Sequence, residues 1–192
     1  ATFTGDLARS LVEELEAEQK VFAMAVDDIP DGYRYPPRVR FQIRAQMQAD
    51  YSLAADYAVS NLANVVILQH EFGIYGGPAG AHVLKLVRDL RIPAMTTLHT
   101  VLAEPNIEQR RIIEALGRST DRLIVMSRRA EKMLQDIYGV PNERVSFIPH
   151  GIPDVPFLDP NYYKDKFKAE GRRIILTFGL LSPNKGIEYM VE

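Results

Sequence analysis

The segment Asn64–Gly77, NVVILQHEFGIYGG, sets the architecture. Asn64–Leu68 is a β-branched apolar run, too short for a helix and without polar alternation. Such a run predicts a strand buried on both faces, as in the interior of a parallel sheet. Gln69 to Gly77, next along the chain, is polar and aromatic and ends in a Gly pair, so it reads as a loop at the carboxyl end of that strand.

Outward from this strand, helix-period and strand-type segments alternate. Toward the N-terminus the pattern predicts a helix over Thr4–Lys20, strands over Val21–Val26 and Arg38–Ile43, and a helix over Gln46–Leu62. Toward the C-terminus it predicts helices over Ala79–Leu90, Ile107–Leu116 and Arg128–Tyr138. These alternate with strands over Ala94–Leu98, Arg122–Met126 and Val145–Ile148. Repeated strand–helix units with short connections imply an α/β, Rossmann-like, doubly wound parallel sheet. A proline-rich stretch then holds Pro153, Pro156 and Pro160. The expected organisation is a Rossmann-like domain over 1–150, a linker over 151–171 with a short helical piece near Tyr162–Lys168, and the truncated start of a second domain over 172–192. A doubly wound domain usually opens with a strand before its first helix, so the first strand is expected to be missing from this sequence.

Bulk composition excludes several classes. The 192 residues are 46% hydrophobic with a formal net charge of −2, which supports a substantial core and gives no electrostatic case for nucleic acid. There are no cysteines, so disulfides, thiolate metal sites and thiol nucleophiles are ruled out, and a cytoplasmic setting fits. No apolar run approaches the roughly 20 residues that span a bilayer. The histidines follow no HExxH or other metal-cluster spacing, and no GxSxG elbow offers a serine nucleophile.

In an open parallel sheet, ligands gather beyond the carboxyl ends of the strands. Four loops lie there by this reading. The first holds Gln69, His70, Glu71, Phe72, Gly73, Ile74, Tyr75, Gly76 and Gly77, a polar–aromatic set suited to a hydroxylated ligand; the plain alternative is a chain-reversing turn. The second holds His99 and Thr100, where the imidazole either serves chemistry or satisfies the core. The third is His150 and Gly151. The fourth lies in Ile174–Glu192, IILTFGLLSPNKGIEYMVE, where a strand-type run enters a turn from Gly179 through Lys185 to Gly186 and then a helix. A lysine in a Gly-bracketed turn before a helix suits a phosphate, although the P-loop spacing is absent.

Five segments together resemble the GT-B fold glycosyltransferases of family 4, the group 1 retaining transferases. They are Val65–Gly77 (VVILQHEFGIYGG), Thr96–Thr100 (TTLHT), Asp121–Ser127 (DRLIVMS), Ile148–Ile152 (IPHGI) and Leu176–Glu188 (LTFGLLSPNKGIE). The opening ATFTGDLARSL is similar to the helix after the family's first strand and Gly-rich loop. The resemblance implies two facing Rossmann-like domains, an acceptor side first and a nucleotide-diphospho-sugar donor side second. It implies retaining transfer of a hexose without a metal or other cofactor, the leaving diphosphate being stabilised by positive groups and a helix N-terminus. Lys185, Gly179 and Gly186 match the family's diphosphate loop, and His99 matches a histidine near the transferred sugar. Glu71, Phe72 and Gly73 fall in a loop that would face the acceptor, which would be a carbohydrate, a lipid-linked group or a small molecule.

Two departures stand against this pattern. Leu180 occupies the place of an arginine often found in the diphosphate loop, and the family's paired-glutamate signature would lie beyond Glu192. The chain is therefore expected to be mostly the acceptor half of a transferase, inactive by itself. The alternative is a non-catalytic half-GT-B binding module, and another GT-B enzyme such as an epimerase or phosphorylase is a third possibility. An open sheet edge and the apolar run Ile174–Phe178 also suggest self-association.

Overall fold

The computed structural model describes residues 2–15, 21–152, 155–177 and 186–191. Its contacts divide into two units, Ala1–His150 and Gly151–Glu192.

The first unit opens with α1 (Thr2–Glu14), β1 (Ala23–Asp27), β2 (Val39–Arg44) and α2 (Gln48–Ser60). It continues with β3 (Val66–His70), α3 (Val83–Asp89), β4 (Ala94–Leu98), α4 (Ile107–Ser119), β5 (Arg122–Val125), α5 (Arg128–Asp136) and β6 (Val145–Phe147). All strand pairs are parallel, in a two-stranded sheet β1-β2 and a four-stranded sheet β3-β4-β5-β6. This is the alternating, parallel, Rossmann-like α/β architecture that the sequence implies. The ladder is divided rather than continuous: among the described residues β1 pairs only with β2, and β3 only with β4.

The burial of the larger sheet follows from strand order. When successive parallel strands are laid down in one direction, right-handed crossovers place every connecting helix on the same face. Leu68, Leu98, Leu123, Val125 and Val145 share that face by register and period, and all are buried in one core cluster with Val83, Leu86, Ile113, Leu116 and Leu134 from α3, α4 and α5. The opposite face, with Ile67, Met95 and Ile124, is half-buried. The helices start where capping chemistry starts them. Asn106 and Gln109 form a reciprocal capping box on α4, and the Ser127 hydroxyl accepts from Ala130 N on α5.

Two sequence expectations change. The strand expected to stop at Leu68 runs on to His70, so Gln69 and His70 belong to the ladder and not to the loop. In the second unit, α6 (Pro160–Lys164) and a following 3-10 turn (Asp165–Phe167) occupy the expected helical piece, and α7 (Glu188–Val191) comes after Gly186. Of the strand expected over Ile174–Phe178, the described part, residues 174–177, joins no ladder and is exposed. A ladder needs a neighbouring strand, and the second unit contains no strand among its described residues. Phe178, Gly179 and Lys185 lie outside the described residues.

Strands β4 and β5 are paired on both sides, whereas β1 and β2 form an isolated pair. Amide hydrogen exchange should therefore be at least about tenfold slower in Thr96–Leu98 and Leu123–Val125 than in Met24–Val26. Equal rates in the two sheets would mean that the division of the ladder has no energetic consequence.

Candidate functional site

Loops after β1, β2, β3 and β4 meet at one end of the first unit. Ala45, just after β2, donates from its N–H to the Asp27 carbonyl at 2.8 Å. Its own carbonyl accepts from the Tyr51 hydroxyl at 2.9 Å and lies 3.2 Å from His82 Nδ1 in the segment after β3. The Tyr51 hydroxyl in turn accepts from Gly76 N at 3.1 Å. Further along the rim, His99 N donates to the His70 carbonyl at 3.0 Å, which extends the β3–β4 pairing by one step.

The Gly pair of the first loop is held by the fold. Gly76 is buried, and a Cβ there would stand 1.8 Å from the Ala45 oxygen and 2.7 Å from His82 Nδ1. Gly77 has φ +77°, a left-handed conformation that favours glycine. What Gly76 admits is therefore the neighbouring backbone. Gly73, by contrast, is exposed with nothing near its missing side chain, and Phe72 is half-buried against His70.

Period-2 alternation divides the strand-end residues between two faces. His70 points into the core with no exposed surface, edge-on to Phe72 and stacked on Tyr75 at 6.1 Å. Both of its ring nitrogens, and the hydroxyl of Thr96, have no hydrogen-bond partner. Burial, opposed in part by the nearby Glu71 carboxylate, pushes the His70 imidazole down to about 4. On the opposite face Gln69, Thr97 and His99 line up. Gln69 Nε2 donates to Thr97 Oγ1 at 3.4 Å, and Gln69 Oε1 lies 2.9 Å from His99 Nε2. Beside them the Glu71 carboxylate accepts from Thr100 Oγ1 at 2.7 Å and from Phe72 N at 3.1 Å. Phe3, from the first turn of α1, meets the His99 ring edge-on at 4.8 Å and the exposed His150 ring at 5.2 Å.

His99 is thus half-buried in a setting with mixed electrostatics. Burial lowers its pKa, the Glu71 carboxylate opposes that, and His150 lowers it further. The net shift is downward, so the ring is mainly neutral at neutral pH, able to accept a hydrogen bond at one nitrogen while donating at the other. The structure brings His99, Glu71 and His150 into one cluster; Phe72 meets it through its backbone N–H on Glu71, while its ring packs on the core-facing His70. It shows no ligand-facing role for Gly76. Gly151 opens the second unit and is exposed, and of the expected diphosphate loop only Gly186 is described (φ +63°). The sequence does not single out Phe3, an N-terminal helix residue, and it places Gln69 in the first candidate loop with no signal that it meets His99. Two concavities, of about 230 Å³ beside Gly117 and Arg144 and about 330 Å³ beside Asp27 and Arg44, do not include His99. Among the described residues no three His, Asp or Glu side chains are grouped as a metal site, and no helix is long and apolar enough to cross a membrane.

The unit is of the parallel α/β class, in which ligands generally gather beyond the carboxyl ends of the strands. The profile of Glycosyltransferase Family 4 matches residues 1–154, and the chain belongs to this family. No curated protein matches the chain.

The unfolded chain protonates His70 near pH 6.5, whereas the folded chain resists protonation down to about 4. Folding stability should therefore be intact above pH 6.5 and fall between 6.5 and 4, by up to about 3 kcal/mol from this group. Denaturant midpoints of His70→Leu should lack that part of the pH dependence, and an unchanged slope would contradict the assignment. Gly76→Ala should cost about 2 kcal/mol or more through its clash with the Ala45 carbonyl, while Gly73→Ala should stay within about 0.5 kcal/mol.

Proposed function

We propose that the first unit is the acceptor-side domain of a retaining hexosyltransferase and that His99 contacts the reacting sugars. Family membership supports glycosyl transfer in general. The observation that carries the finer reading is the cluster of His99, Gln69, Glu71 and Thr100 at the carboxyl rim, polar groups spaced for sugar hydroxyls on a pre-ordered surface. The donor in this reading is a nucleotide-diphospho-sugar. Its diphosphate is held without a resident metal by Lys185 and by backbone N–H groups of the Gly179–Gly186 loop.

Transfer with retention requires the acceptor hydroxyl to approach the face of the sugar that the diphosphate leaves. A neutral imidazole beside that face can accept a hydrogen bond from a hydroxyl of the transferred hexose and orient it. Glu71, fixed by Thr100 and Phe72 N, presents a carboxylate to an acceptor hydroxyl. Orientation of this kind lowers the barrier by fixing the reactants before the chemical step.

In a protein that carries this domain together with a donor-side domain, His99→Ala should lower turnover at least about tenfold, equivalent to about 1.4 kcal/mol of barrier. Near-normal turnover would remove His99 from the reaction. The donor reading is tested on the 192-residue chain by thermal denaturation with UDP, GDP, ADP and their hexose conjugates. A shift with one nucleotide that Lys185→Ala abolishes supports the diphosphate assignment; a shift unaffected by that substitution refutes it.

A further inference from the structure

We infer that Gln69 is a positioning residue that fixes which nitrogen of His99 carries the proton. This inference rests on the proposed role of His99 for its functional meaning, but its geometry is independent of that role. Gln69 stands in β3 directly opposite Thr97 of β4, and His99 lies two residues after Thr97 on the same face. The three side chains form a line across the ladder: the Thr97 hydroxyl at 3.4 Å from Gln69 Nε2, and Gln69 Oε1 at 2.9 Å from His99 Nε2.

An amide has a donor end and an acceptor end, so anchoring one end selects the other. Thr97 is almost wholly buried, and its hydroxyl accepts from the Gln69 NH₂ group while the amide carbonyl oxygen faces His99. A carbonyl oxygen only accepts. The nitrogen facing it must therefore carry hydrogen, which makes Nε2 the donor and leaves Nδ1 with the free lone pair. Main-chain groups of His99 and Gln69 are both held: His99 N donates to the His70 carbonyl, and the Tyr75 hydroxyl donates to the Gln69 carbonyl at 2.7 Å.

The consequence for recognition is a directional one. With Nε2 committed to Gln69, a sugar hydroxyl that donates to His99 does so at Nδ1. Ring rotation would cost the Gln69 bond, so the amide sets ring orientation together with tautomer. Glu71 and Thr100 form a separate latch beside this line and do not touch the His99 nitrogens in it.

The test is a two-bond ¹H–¹⁵N correlation spectrum of the uniformly labelled 192-residue chain at neutral pH, in which the two tautomers have distinct nitrogen shifts. The expected result for His99 is a pyrrole-type Nε2 and a pyridine-type Nδ1. Gln69→Leu should shift the ring to a tautomer mixture, and Gln69→Glu, whose carboxylate also accepts from Nε2, should restore the wild-type pattern. Thr97→Val removes the anchor alone and provides a second route to the same loss, should Gln69→Leu disturb folding. A protonated Nδ1 in the wild-type chain, or an unchanged pattern in both Gln69→Leu and Thr97→Val, would overturn the inference. None of these readouts needs turnover, so they stand or fall separately from His99→Ala activity.

Discussion

The parallel pairing of β3 with β4, in the register that sets Gln69 against Thr97, is the constraint on which the rest of the site depends. Side chains alternate with a period of two, so this register sends His70 and Leu98 into the core and Gln69, Thr97 and His99 to the other face. A slip of one residue would bury the glutamine and the candidate histidine among apolar groups and expose Leu68 and Leu98. That alternative loses apolar burial and leaves more polar groups without partners. The same packing that stabilises the domain therefore selects the face that carries the candidate site.

The core has a cost at the same position. His70 sits in the core with both ring nitrogens unpaired, next to the unpaired hydroxyl of Thr96. Buried polar atoms without partners weaken a fold, and here the histidine remains neutral because burial suppresses its protonation. One residue further on, the Glu71 carboxylate is held by one hydrogen bond on each oxygen, from Thr100 Oγ1 and Phe72 N. Adjacent residues of one strand end thus meet opposite fates, one silenced by the core and one held at the rim.

Much of this was legible in the sequence, for reasons that particular elements make clear. Strand β4 was readable to the residue because an apolar–threonine run comes directly after Pro93 and ends at a histidine. The alternation of strands and helices, and hence the Rossmann-like class, came from periodicity alone. The end of β3 was not readable: Gln69 and His70 are polar, and only the three-dimensional cover provided by Tyr75 and Phe72 makes a histidine acceptable inside a strand. The Gly76 requirement was visible as a Gly pair, but its physical cause, the distant Ala45 carbonyl, is a tertiary contact with no local signature. Residues 174–177 carry strong strand propensity and form no ladder, because propensity alone does not supply a neighbouring strand.

The central claim is that the rim around His99 is the surface that receives the acceptor sugar. Chemical-shift mapping of the labelled 192-residue chain against the methyl glycosides of glucose, mannose, galactose and N-acetylglucosamine, at millimolar concentration, tests it most directly. The account predicts perturbations confined to Gln69–Gly73, His99–Thr100 and His150, lost in His99→Ala. Perturbations centred elsewhere, such as the cavity beside Gly117 and Arg144, or no response to any of the four glycosides, would contradict it.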